Sequence, residues 1–466
     1  MSYKDKFNQI IKCIEEGNFY EAKEIAKLIN NKVEYENTLG VISYYEGNIE
    51  EAFKHLQNAI EIMPNHSDAL FNYSKILFDS GKYAESWRYL TRIPEKTWEI
   101  YNLLGDTQLN LNNPAMAFHY YKKALELSKL PELKNKIEKI KSIIGKIAKI
   151  GIFEQSEDKT AIQNIVDIIS NIYEIKIPKL STNDIVQTYE WADLIWFENV
   201  SKIASEITKK LPKKGKKVIL FFREKDLDFS LIKEIDWYFI DFVVYPSEEL
   251  KYIIESENED LKSIKSFIVS TSIDIAKIKI EKKEKIKNIL LDFSNFRKDP
   301  TEIAYIIKSL GKNYNFFIRN SFKMNDYFLK QLLFKLKSVN MEEYISFIDS
   351  SSPEKILENV DMVIFLDTLY PISEIVKLAM AKGIKVILAN NTNRKNLFPN
   401  QILYNFPEDI LEKLKIENNL LCRVIAEDLF SLDNQIKKIL DIIEYKSDYE
   451  LFSLSLLNII EGKDGG

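Results

Sequence analysis

Small residues recur at a thirty-odd-residue spacing through the first 130 positions, and this period constrains the fold more than any other feature of the chain. One copy carries Leu39-Gly40, Gly47, Ala52, Leu56, Ala59 and Pro64. The next carries Tyr73, Gly81, Leu90 and Pro94 at nearly the same offsets. A further copy has Trp98, Leu104-Gly105, Ala117, Tyr121, Ala124 and Pro131. An earlier one opens with Glu16-Gly17-Asn18-Phe19-Tyr20-Glu21-Ala22. Repeats of this length are helical pairs that cannot bury their apolar faces alone and must stack. Gly40, Gly105, Ala52 and Ala117 allow two helices to approach closely, while Gly47 and Gly81 fall at the turn, where positive φ is cheap for glycine. The spacing predicts three and a half to four helix pairs over residues 3–130, with Pro131–Ile150 as an amphipathic capping helix.

This pattern resembles the tetratricopeptide repeat, whose period is ~34 residues. The resemblance implies an interaction surface whose concave face holds a peptide or protein; packing on the following domain and self-association are the alternatives. Bulk charge names no ligand, since residues 1–146 hold 20 basic and 20 acidic side chains. His55, His66 and His119, the three histidines of the chain, read as packing or helix-surface residues, because no pair has metal-ligand spacing.

Composition changes after the repeats. Only 13 glycines occur in 466 residues, and between Ile152 and Glu461 they are Gly215, Gly311 and Gly383. A glycine-rich phosphate loop is therefore not expected. Short apolar runs instead alternate with amphipathic stretches. The expected strands are Ile150–Phe153, Tyr173–Ile177, Leu194–Phe197, Val218–Phe222, Phe242–Tyr245 and Phe267–Val269. After a lysine-rich linker, Asp274–Asn288, come Ile289–Leu291, Phe316–Ile318, Ile345–Ile348, Met362–Leu366, Lys385–Leu388 and Gln401–Tyr404. Strands separated by helix-length segments imply parallel sheets with helices on both faces. The expected fold class is therefore α/β with an all-α N-terminal part. Its domains are helical repeats over 1–148, Rossmann-like units over 149–276 and 277–445, and a C-terminal helix and tail over 446–466. Ligands bind open α/β sheets beyond the carboxyl ends of their strands, here between the two units.

Several stretches of this part resemble family-4 glycosyltransferases of the GT-B fold. Trp191-Ala192-Asp193-Leu194-Ile195-Trp196-Phe197-Glu198 resembles the strand before their acceptor-side helix. The run from Asp236 to Pro246-Ser247-Glu248 resembles a later strand that ends in Ser-Glu. Phe293-Ser294-Asn295-Phe296-Arg297-Lys298-Asp299-Pro300 resembles the donor-phosphate loop, and Leu378 to Ile387 the helix and strand beside the donor sugar. The resemblance spans residues 149–445 and implies a nucleotide-sugar donor held by the second unit.

The donor-side candidates are Ser294, Arg297, Lys298, Asp367, Thr368, Glu374 and Asn390; the acceptor-side candidates are Glu198, Arg223 and Asp226. Adjacent cations such as Arg297 and Lys298 suit a diphosphate leaving group without a metal. The same pair also suits a solvated strand-to-helix turn. Asp367-Thr368 and Asn390-Asn391-Thr392 fall at strand ends, where ligand groups and helix caps both occur. Glu374 is either a carboxylate for the donor or a surface residue, and Arg223 to Asp226 is either a cleft segment or a charged turn. Trp196 and Phe197 are expected in the core. The chain departs from the family at Tyr370 and Leu378, which stand where two glutamates lie, and at Asp292, which stands where a glycine precedes the phosphate loop and whose charge would repel a diphosphate.

Two functions follow. One is a transferase, metal-independent and without a cofactor beyond the nucleotide sugar, that glycosylates a protein of the flagellin or surface type held by the repeats. The other is a degenerate GT-B scaffold or specificity subunit that binds a protein partner. A net charge of −5 argues against nucleic acid as a partner. No uncharged apolar run approaches the ~18 residues of a membrane span, and Met1 to Lys6 lacks the apolar core of a signal peptide. Cys13 and Cys422 suit a reducing compartment, so the expected location is the cytoplasm.

Overall fold

A computed structural model describes residues 3–445 apart from 145–147, 155–159, 180, 224–228, 276–277, 282–284, 294–298, 320–325, 349–351, 369–370 and 417–418. The first part is α1 (Tyr3–Glu15), α2 (Phe19–Ala26), α3 (Lys32–Tyr45), α4 (Ile49–Ile62), α5 (Ser67–Asp79), α6 (Tyr83–Thr91), α7 (Trp98–Asn110), α8 (Pro114–Ser128) and α9 (Pro131–Ile144). Gly17, Gly47 and Gly81 sit at the turns with φ of 73°, 92° and 74°. Gly40 and Gly105 mark the closest helix approaches: a Cβ would lie 2.5 Å from Leu56 Cγ at the first and 2.5 Å from Tyr121 Cε1 at the second. Asn18, Asn31, His66 and Asn113 each accept a backbone N–H at the start of α2, α3, α5 and α8. His66 is therefore a helix cap, and its other ring nitrogen lies 3.1 Å from Glu34. The capping helix α9 is described to Ile144, and it does not reach the expected Ile150, because residues from Lys149 pair into a sheet.

The α/β part contains two parallel sheets. The first is β1 (Lys149–Phe153), β2 (Glu174–Lys176), β3 (Leu194–Phe197), β4 (Lys217–Phe221), β5 (Phe242–Tyr245) and β6 (Lys265–Ile268), in the order β2-β1-β3-β4-β5-β6. The second is β7 (Asn288–Asp292), β8 (Asn315–Arg319), β9 (Ile345–Ile348), β10 (Met362–Phe365), β11 (Lys385–Ala389) and β12 (Leu403–Tyr404), in the order β12-β11-β10-β7-β8-β9. Each strand lies within a residue or two of its expected run. Both orders are doubly wound: in the second sheet the topological switch lies between β7 and β10, and in the first between β1 and β3. Trp196 and Phe197 are core residues as expected, fully buried, with the Trp196 ring stacked on Phe221 at 4.4 Å.

Two crossings join the units. One is the linker between β6 and β7. The other is the turn at Ser431 between the helices Asn419–Phe430 and Leu432–Glu444, the first of which adds an element before the expected closing helix. Cys422, Ala426 and Phe430 of the first helix belong to the core of the second unit. Ile436, Ile439 and Leu440 of the second pack with Leu104, Tyr120, Ile152 and Trp196, so that the last repeats, the first sheet and this helix share one core. Among the described residues no helix is long and apolar enough to cross a membrane.

Candidate functional site

The carboxyl ends of the two sheets meet. Glu249 follows β5, in the first turn of the helix Glu248–Glu257 that Ser247 caps by accepting Leu250 N–H at 3.2 Å. Arg394 and Asn391 follow β11 in the other unit. Glu249 Oε1 accepts from Asn391 Nδ2 at 3.1 Å and lies 3.4 Å from Arg394 Nε. Arg394 is 1% exposed, rests over the Phe365 ring at 4.9 Å, and donates to the carbonyls of Ala389 (2.8 Å) and Asp367. Burial pulls its guanidinium below the ordinary value, and Glu249 opposes that pull. This strut ties β10, β11 and the first unit together.

The donor-side candidates divide into three groups. Asp367, Thr368 and Asn390 are brought together around the strut. Asp367 is buried, and the Thr368 carbonyl accepts from Asn391 Nδ2 at 2.7 Å. Asn390 Nδ2 donates to Asn405 Oδ1 at 2.8 Å, while its own Oδ1 is buried and has no hydrogen-bond partner among the described residues. Glu374 is apart from them, exposed at the start of the helix Glu374–Ala381, beside a hollow of about 520 Å³ that Leu378, Lys382, Glu354 and the linker residue Lys279 also line. Ser294, Arg297 and Lys298 lie outside the described residues.

Asp292 ends β7 at the switch point, opposite Phe365 of β10. It is 1% exposed, accepts a hydrogen bond from the Ser373 hydroxyl, and lies 3.8 Å from Arg319. Burial pushes its carboxyl above the usual range; Ser373 and Arg319 pull the other way, and Asp367 adds to the rise. Burial thus opposes the charge on this carboxyl, and the Ser373 hydroxyl is a donor already aimed at it. Leu378, standing where the family resemblance implies a carboxylate, is 7% exposed and belongs to the apolar core behind the helix.

On the acceptor side Glu198 and Arg223 form one pair. Glu198 follows β3, is 3% exposed, and accepts from Trp196 Nε1 at 2.7 Å as well as from the Arg223 guanidinium. Asp226 lies outside the described residues. Sequence reasoning missed Glu249 and Arg394. Each sits in an ordinary polar turn, and the signal of their role is a contact between units that no local spacing reveals. The remaining histidines take structural roles: His55 Nδ1 lies 2.8 Å from Glu36, and His119 is buried in α8.

Residues 44–97 and 99–129 match two models of the tetratricopeptide repeat. No curated protein sequence matches the chain. The fold is similar to that of the Anabaena protein HepE in complex with UDP, at 12% identity over 64% of this chain and 99% of that one, with a TM-score of 0.45. It is similar to a glycosyltransferase from Rickettsia africae, at 12% identity, 65% and 100% coverage, and a TM-score of 0.44. It is also similar to a Thermobaculum terrenum O-GlcNAc transferase mutant, at 10% identity, 92% and 96% coverage, and a TM-score of 0.41. The chain joins a stack of helix pairs, within which residues 44–97 and 99–129 match the tetratricopeptide repeat, to two doubly wound parallel-sheet units whose strand carboxyl ends meet.

Proposed function

We propose that the protein is a nucleotide-sugar-dependent glycosyltransferase whose acceptor is a protein, of the flagellin or surface type, held by the repeats. The observation that carries this reading is the meeting of the two carboxyl edges, with Glu249 reaching Arg394 and Asn391 across the cleft. Ligands of open α/β sheets bind there. The second unit offers the donor a carboxyl, hydroxyls and amides at its strand ends: Asp367, Thr368, Ser373 and Asn390. Such groups bind sugar and ribose hydroxyls by paired hydrogen bonds.

In the reaction the acceptor oxygen forms a bond to the anomeric carbon as the bond to the nucleoside diphosphate breaks. The developing charge on the diphosphate needs fixed cations, and Arg297 with Lys298 is the pair the family resemblance assigns to that role. No histidine occurs after His119, so the acceptor proton passes to a carboxylate or to the departing phosphate. In this reading neither a metal nor a further cofactor takes part, and the buried thiols of Cys13 and Cys422 suit a reducing cytoplasm.

Titration with UDP, GDP and their sugars, followed by thermal shift and calorimetry, tests the reading. A working donor site raises stability by RT ln(1 + [L]/Kd), about 2.7 kcal/mol at a hundredfold excess over Kd. The shift should persist in EDTA and vanish in the double variant Arg297→Ala, Lys298→Ala. A flat response at millimolar nucleotide overturns the transferase and leaves the scaffold role.

A further inference from the structure

The repeat stack sits on the pivot between the two α/β units. Both crossings pass through one place: Ile273 of the linker bridges to Ser431, Ile273 N–H donates to the Phe430 carbonyl at 2.9 Å, and Ser272 Oγ donates to Gln435 Oε1 at 2.5 Å. A cleft between units of this kind opens by rotation about such a pair of adjacent strands. The repeats hold both sides of it.

On the side of the second unit, Arg88 of α6 pairs with Asp428 at 2.7 Å, and Arg92 pairs with Glu427 at 3.0 Å, both of the latter side chains under 5% exposed. Glu427 also accepts from Arg423 Nε at 2.6 Å. Arg423 in turn donates to the linker carbonyls of Ile275 (3.1 Å) and Ile278 (3.0 Å). A continuous chain thus runs from the repeats into the linker, an ion pair from Arg92 to Glu427 followed by charge-assisted hydrogen bonds from Arg423. On the side of the first unit, past Ser431, Tyr120 of α8 donates to Asp433 at 2.5 Å, and Lys122 donates to Asn171 at 3.4 Å. Rotation at Ser431 moves Glu427 and Asp428 against Asp433, so opening must break one of the two sets. A cavity of about 190 Å³ lies between them, lined by Lys96, Asp274 and Asp433 together with the apolar Tyr101, Ile168 and Leu432, so side chains do not fill the pivot.

We infer that the repeat stack is a brake on opening of the cleft: α6 and α8 lock the pivot, and a partner that rearranges the last two repeats releases it. The coupling stands on contacts alone. That it regulates glycosyl transfer rests on the function proposed above.

The test uses the full chain with spin labels at Tyr252→Cys and Leu397→Cys. These positions are 73% and 52% exposed and belong to opposite units beside the strut. Cys13 and Cys422 are buried. Double electron–electron resonance should give one narrow distance distribution in the parent. The added changes Arg88→Ala and Arg92→Met should bring in a longer population. Hydrogen exchange at 272–275 and 429–433 should accelerate by on the order of tenfold or more, the scale expected when a buried pair is broken. Glu249→Gln releases the strut without touching the pivot and calibrates what opening looks like with these labels. Arg92→Lys, which keeps the charge facing Glu427, separates loss of the contact from loss of folding and should fall back toward the parent. A distribution and exchange pattern unchanged in Arg88→Ala, Arg92→Met overturns the brake. No nucleotide is present in these measurements, so failure of the transferase reading leaves their outcome unaffected.

Discussion

His119 shows how a single side chain can set the acid limit of the fold. It is buried in α8, its Nδ1 has no hydrogen-bond partner among the described residues, and burial together with Lys123 and Lys122 lowers its pKa from 6.5 to about 4. The depressed value means that the unfolded chain binds this proton at a higher pH than the folded one. Stability from keeping His119 neutral is therefore full above about 6.5 and is lost as pH falls through the window down to about 4. The loss amounts to ~3 kcal/mol at the acid end, taking 1.36 kcal/mol per unit. We expect the stability difference between the parent and His119→Leu, measured by urea denaturation from pH 7 to pH 4, to move toward the variant by about that amount. A difference that stays level across the window would place the proton elsewhere. Asp292 acts in the opposite sense. Its raised carboxyl favours the fold below the ordinary carboxylate range and costs stability as pH rises, so a buried acid at the switch point carries a standing cost that the Ser373 hydroxyl and Arg319 only partly offset.

At the scale of the element, the helix pairs depend on the missing side chains of Gly40 and Gly105. A glycine inside a helix costs about 1 kcal/mol relative to alanine, so alanine at either site would stabilise an isolated helix. Packing decides otherwise at Gly105. A Cβ there would meet Tyr121 Cε1 at 2.5 Å, and that ring cannot swing aside easily because its hydroxyl donates to Asp106 at 2.6 Å and Lys136 lies over its face at 4.9 Å. Overpacking of this kind costs about 1–3 kcal/mol, more than the propensity returns. Gly105→Ala should thus lower the thermal midpoint. Gly40→Ala should lower it as well, because a Cβ there would lie 2.5 Å from Cγ of the fully buried Leu56 and 3.3 Å from the Ala52 carbonyl oxygen. A stabilised Gly105→Ala would mean that Tyr121 is free to move. The sheets depend on elements differently. Their central strands are continuous apolar runs because parallel strands with helices on both faces bury both sides, which is why β3, β5 and β10 could be placed from sequence to the residue or nearly so.

At the scale of the whole molecule, one core joins what the chain divides. Leu104 and Tyr120 of the repeats, Ile152 and Trp196 of the first sheet, and Ile436 and Leu440 of the last helix lie in the same buried cluster. The repeats and the first unit should then unfold together. Native-state hydrogen exchange at core amides of α8 and β3 should report opening free energies that agree within about 1 kcal/mol. Two separated values would show that the repeats melt on their own, as an isolated stack does.

The sequence by itself determined the elements, because their causes are local. A thirty-odd-residue recurrence of small residues makes helix pairs, and apolar runs between amphipathic stretches make parallel strands. It also located Asp367, Asn390, Glu198 and Arg223 at strand ends, since the carboxyl end of a strand follows from the strand. It left the ligand roles of Arg297 and Glu374 open, because an arginine in a turn and a glutamate in a first helical turn read alike whether they meet a ligand or water. The tertiary structure decided the rest. Arg394 meets Glu249, Arg92 meets Glu427, and Asp292 is drawn into the switch point, each through pairing between segments far apart in the chain. Burial then converts those polar turns into struts, because a charge taken out of water must find a partner, and only the folded chain supplies one.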